Sequence, residues 1–67
     1  MKTGQSLSFR EIRVQRCLKQ EDIAREAGIS VGLYSLLERH LRHTTKKKAK
    51  KITAMLGVPD RWEELVL

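Results

Sequence analysis

Seven basic side chains and no acid fall between residues 39 and 51: Arg39, Arg42, Lys46, Lys47, Lys48, Lys50 and Lys51. Guanidinium and ammonium groups at this density suit a polyanion, above all a row of phosphates. The rest of the chain does not share the bias. Residues 1–38 carry a balance of +1 and residues 52–67 a balance of −2, so the net +6 is a patch. Lys46, Lys47 and Lys48 also open a predicted helix, where the macrodipole disfavours each cation by about 0.3–1 kcal/mol. Stability alone does not choose them. A phosphate at that helix end would be held by backbone N–H groups and ammonium groups together. A solvated charged face is the plainer reading of the same run, and a nuclear-import signal is a third.

Other chemistries find little material. Cys17 is the sole cysteine, so no internal disulfide forms, and no Cys/His set has zinc spacing. His40 and His43 stand three apart, which a metal tolerates, but no third ligand is evident. Phosphate-facing or solvated histidines are the expectation, and no metal is assigned. No nucleophile–base pair or phosphate-cradling glycine loop is present, and 67 residues leave little room for a ligand pocket. The chain is therefore not expected to be an enzyme, and no cofactor is implied. The N-terminus does not resemble a signal peptide, and no stretch approaches the roughly 18 apolar residues of a membrane span. A cytoplasmic protein is expected.

The elements that must carry the basic patch are helical. Residues 1–6 are expected to form a loose arm, and residues 7–67 a single domain. Ser8 can cap a first helix, with Glu11 reaching back and Leu7 and Ile12 as a hydrophobic staple. A second helix starts near Gln20 with Glu21 and Asp22 in its first turn, buries Ile23, Ala24 and Ala27, and ends at Gly28. Ser30 caps a third, running to about His40, with Tyr34, Leu37, Glu38 and Leu41 on one side. Gly32, Leu36, Arg39 and His43 fall on the other. Thr44 or Thr45 caps a fourth, "KKKAKKITAMLG", striped with Ala49, Ile52, Met55 and Leu56 and closed by Gly57. Pro59 opens a short fifth, with Trp62 and Leu65 to pack. No strand pattern appears.

Two helices joined by the tight turn "AGIS" form a device in which one helix braces on the phosphate backbone and the next enters the major groove. The chain here resembles the Cro and lambda-repressor type of helix-turn-helix regulator, the XRE family. The resemblance is carried by "IR" at 12–13, "LKQEDIA" at 18–24, "GIS" at 28–30, "YSLLE" at 34–38 and "AKKITAMLGV" at 49–58. It implies an all-α, compact five-helix lambda-repressor-like domain with the helix-turn-helix at helices 2 and 3. It also implies that Gln20 sets its amide on a DNA phosphate and that Arg13 and Glu38 form an internal ion pair. Two positions depart from the family's pattern. Cys17 stands where a glycine commonly ends the first helix, so it is either strained or in a different turn, and it is expected to be small and buried. His40 stands where an E-x-G glycine commonly falls, so the third helix is expected to run up to a turn longer.

The predicted reading helix is poor in hydrogen-bonding side chains. Val31 and Leu36 can meet thymine methyl groups, Gly32 permits close backbone approach, and Ser35 and Arg39 can reach a base or phosphate. Shape readout would supply the remainder. Phosphate contacts are expected from Gln20, Arg42, His43, Lys46, Lys47, Lys48 and Lys50. The leading expectation is a DNA-binding transcriptional regulator, most simply a repressor, of bacterial, phage or mobile-element origin. It would bind as a homodimer, in solution or only on DNA, through Trp62, Val66 and Leu67. The alternative is a protein-interaction module, such as a toxin-neutralising or mobile-element accessory protein, that uses the apolar face of helix 3.

Overall fold

Residues 7–67, described by a computed structural model, fold into four α-helices and a terminal 3₁₀ helix, with no strand among them. The expected arm at 1–6 lies outside the described residues. Helix α1 spans Phe9–Gln15 and opens with a capping box. The Glu11 N–H donates to Ser8 Oγ at 3.1 Å, and the Ser8 N–H donates to Glu11 Oε1 at 2.9 Å. Two backbone donors that the helix cannot satisfy itself are thereby paired. Helix α2 spans Gln20–Ala27, α3 spans Val31–Glu38 and α4 spans Lys46–Leu56. Ser30 and Thr45 cap α3 and α4 through their side-chain oxygens. Pro59 starts the 3₁₀ helix, Pro59–Leu65, where its missing N–H costs nothing.

All four α-helices stop in the same way. One residue takes a left-handed conformation: Cys17 (φ 58°), Gly28 (φ 75°), His40 (φ 60°) and Gly57 (φ 80°). The next N–H then reaches back five residues, as Leu18 to Arg13, Ile29 to Ala24, Leu41 to Leu36 and Val58 to Thr53, all at 2.9–3.0 Å. This is the Schellman arrangement, which satisfies carbonyls at the helix end and reverses the chain.

Two expectations fail at these ends. Helix α3 stops at Glu38 rather than near or beyond His40, because His40 itself adopts the left-handed turn. Leu41 and His43 consequently leave the helical faces assigned to them, and Leu41 is 61% exposed. Cys17 is exposed, not buried, and sits in the strained conformation.

The core joins every helix. Phe9 and Ile12 of α1 pack with Ile23, Ala24 and Ala27 of α2, Tyr34 and Leu37 of α3, and Ala49, Ile52 and Leu56 of α4. Leu65 closes it from the 3₁₀ helix. Each fully buried Leu, Ile or Phe contributes about 1.5–3 kcal/mol by leaving water. Thr53 is also fully buried, its hydroxyl donating to the Ala49 carbonyl at 3.0 Å. Sequence periodicity alone had not marked it.

Candidate nucleic-acid interface

The hinge between α2 and α3 is built from four residues with separate tasks. Ala27 is buried and lets the helices approach. Gly28 takes the left-handed position, and no neighbouring atom lies within 4 Å of where its Cβ would be. Conformation alone therefore accounts for that glycine. Ile29 is half-buried against the core, and Ser30 Oγ accepts the Leu33 N–H at 3.0 Å. The result fixes the angle at which α3 leaves α2.

A polar network beneath the hinge ties α3 to the first two helices. Arg13 Nε lies 2.5 Å from Glu38 Oε2, and its Nη1 donates to the Leu18 carbonyl at 3.0 Å. The Glu38 side chain is 2% exposed and Arg13 13%. Hydrogen bonding to Glu38 raises the Arg13 pKa above its ordinary value. Gln20 Nε2 also donates to Glu38, at 3.0 Å. Half of that amide's donor capacity is thus directed inward, leaving one N–H and the carbonyl for an outside group. Tyr34 lies against this network. Its hydroxyl is buried without a hydrogen-bond partner, and burial, aided by the Glu38 charge, pushes its pKa up.

On the outward side of α3, Val31, Gly32 and Arg39 are exposed, while Ser35 and Leu36 are half-buried. The Arg39 Nε donates to the Ser35 carbonyl at 3.4 Å, which lays its side chain along the end of the helix. The segment that follows is basic and open: Arg42, His43, Lys46, Lys47, Lys50 and Lys51 are exposed and Lys48 is half-buried. Thr45 Oγ1 accepts the Lys48 N–H at 3.3 Å. The Lys46 and Lys47 N–H groups, at the first two positions of α4, have no helical acceptor.

A helix-turn-helix family model matches residues 9–62, a span that includes all four α-helices and the hinge. The chain belongs to the XRE-type helix-turn-helix family of DNA-binding transcription regulators. No curated protein and no solved structure matches it significantly. Among the described residues, no group of three or more His, Cys, Asp or Glu is placed to hold a metal ion. No helix among them is long and apolar enough to cross a membrane.

Within this XRE-type frame, the three residues expected at a dimer interface occupy different settings. Leu67 is fully exposed, Val66 is half-buried, and Trp62 is half-buried with the Lys46 and Lys50 ammonium groups over its ring. That cluster was not foreseen, although Lys46 and Lys50 at i, i+4 are the spacing that brings two stems to one face. A second unforeseen cluster gathers around Phe9. The Arg61 guanidinium sits 4.5 Å from the centroid of Phe9, His40 lies 5.6 Å from the same ring, and Arg61 is bidentate to Glu64 at 2.7 and 2.9 Å. Hydrogen bonding to Arg61 lowers the Glu64 pKa. These contacts hold the 3₁₀ helix to α1.

Proposed function

We propose that the chain is a sequence-specific repressor that occupies its operator with α3 in the major groove. Val31, Gly32, Ser35, Leu36 and Arg39 face the base edges. Gln20, Arg42, His43, Lys46, Lys47, Lys48 and Lys50 meet the phosphates on either side. The observation that carries this reading is Gly32. It lies within a helix, its φ is not positive, and among the described residues nothing stands within 4 Å of where its Cβ would be. Neither backbone strain nor packing asks for glycine there. Close approach by an outside surface does, and a base pair seated against the α3 backbone supplies it. Thymine methyl contacts with Val31 and Leu36 add sequence preference without hydrogen bonds.

Binding is by a twofold dimer on half-sites about one helical turn apart. Leu67 and Val66, with Trp62 behind them, provide the apolar contact, formed in solution or on the DNA. Removing everything after Glu64 is a poor test, because Leu65 is in the core and its carbonyl accepts the Thr44 N–H at 2.8 Å. Leu67→Asp is the better variant, and sedimentation with and without DNA reads its effect.

Selection of duplexes from a random pool, followed by titration at several salt concentrations, tests the whole reading. Neutralising about six phosphates gives a log–log slope of about −5 per protomer. A slope near zero, with stoichiometric capture of a protein instead, would favour the protein-binding use of the α3 face to which exposed Val31 also lends itself.

A further inference from the structure

We infer that Trp62 is a positioning residue for phosphate binding, holding the Lys46 and Lys50 ammonium groups together over its indole ring before DNA arrives. This rests on the DNA-binding reading above and names the residue that organises two of its cations. The Nζ atoms of Lys46 and Lys50 lie 5.0 and 5.4 Å from the ring centroid. Both are inside the ~6 Å at which the ring quadrupole attracts a cation. Neither has a carboxylate partner: the ion pairs among the described residues join Arg13 to Glu38, Arg25 to Asp22, and Arg61 to Glu64. Two like charges one turn apart repel, and at the start of α4 the macrodipole adds to the penalty. The Trp62 ring offsets both.

The ring is itself held in place. It belongs to the 3₁₀ helix, packs against the core, and lies between Pro59 and the buried Leu65. The hydrogen bond from the Thr44 N–H to the Leu65 carbonyl fixes that helix to the entry of α4. An ammonium resting over a π face uses none of its three N–H donors on a hydrogen-bond acceptor. Each lysine can therefore meet a phosphate oxygen without leaving the ring, and less rotamer freedom is lost on binding.

A double-mutant cycle in the full chain tests this, with a fluorescein-labelled random-sequence DNA duplex as probe at one salt concentration. Trp62→Leu is expected to weaken binding about fivefold. Trp62→Phe, which keeps a weaker aromatic face and more of the packing, is expected to cost less. In a Lys46→Met, Lys50→Met background, Trp62→Leu should cost nothing further. NMR should show ring-current-shifted lysine ε-methylene protons in the native chain and not in Trp62→Leu. Thermal melts identify any variant that has lost its fold, in which case the Phe variant carries the cycle. An equal loss with and without the lysines would make Trp62 merely structural and overturn the inference. Tighter binding by Trp62→Leu would do so too, since the ring would then be sequestering the lysines. If the two Met substitutions alone leave affinity and salt slope unchanged, the phosphate role of both lysines falls, and this inference with it.

Discussion

The inward and outward faces of α3 belong to one eight-residue helix but obey different demands. Inward, Tyr34, Leu37 and Glu38 are buried, and neighbouring helices account for each of them: two fill the core and the third completes the Arg13 network. Outward, Val31 is 43% exposed and Gly32 faces open space, and no contact among the described residues explains either. Where the fold supplies a reason, residue type follows from packing and charge. Where a residue costs stability and the described residues give nothing in return, the proposed DNA contact supplies a reason. The basic start of α4 obeys the same logic, since three lysines sit where a helix prefers acids.

The inward face should break first and hardest. Glu38→Ala strips Arg13 of its buried partner and Gln20 of its acceptor, and is expected to destabilise the fold by about 3–5 kcal/mol. Urea unfolding measures this, and an unchanged midpoint would mean that the network contributes nothing. Tyr34→Phe sharpens the point from the other side. Its hydroxyl is buried without a partner, so removing it is expected to hold stability or raise it by about 1 kcal/mol. The raised pKa of Tyr34 gives a pH signature with a fixed sign. In the unfolded chain tyrosine ionises near its ordinary value of about 10, while the folded chain keeps it neutral. Stability from this group is whole below pH ~10 and falls as pH rises beyond it. The difference between native and Phe chains should therefore widen in alkali in favour of the Phe variant.

Much of this architecture is legible in the residues because helix ends carry local chemistry. Ser8, Ser30 and Thr45 announce starts, Gly28 and Gly57 announce stops, and the spacing of Ile23, Ala24 and Ala27 shows the buried side of α2. The site is less legible, for reasons that are tertiary. The end of α3 is hidden because a histidine, not a glycine, takes the left-handed turn, next to Phe9 from another helix. Gln20 bonds a carboxylate eighteen residues away, and Trp62 meets lysines from α4. No local pattern encodes those meetings.

The helix ends repeat the contrast between the two faces on a smaller scale. Gly28 and Gly57 satisfy a left-handed turn at no steric cost, whereas Cys17 and His40 carry a β-carbon into it. Cys17 is exposed and has no compensating contact of the kind Phe9 gives His40. Cys17→Gly is therefore expected to raise stability by about 0.5–1 kcal/mol after the glycine's extra unfolded-state entropy is counted. His40→Gly should gain less, because it forfeits the aromatic contact with Phe9, a term of about 0.5–1.5 kcal/mol. Equal gains at the two sites, read from thermal melts, would mean that the Phe9 contact contributes little.

The smallest stability change falls on the outward face and bears most directly on function. Gly32 is the second residue of α3, near enough to the helix start that alanine gains only about 0.5 kcal/mol, less than at mid-helix. The added methyl meets nothing among the described residues, so Gly32→Ala should fold at least as well as the native protein. If a base pair lies against that backbone, the same methyl should weaken binding to the selected site by tenfold or more, about 1.4 kcal/mol. It should leave the salt slope alone, because no phosphate contact is touched. A variant that is more stable yet blind to its operator would separate what the helix needs from what its partner needs. A variant more stable with its affinity intact would show that nothing approaches Gly32, and the groove-facing assignment of α3 would then have to move to another face.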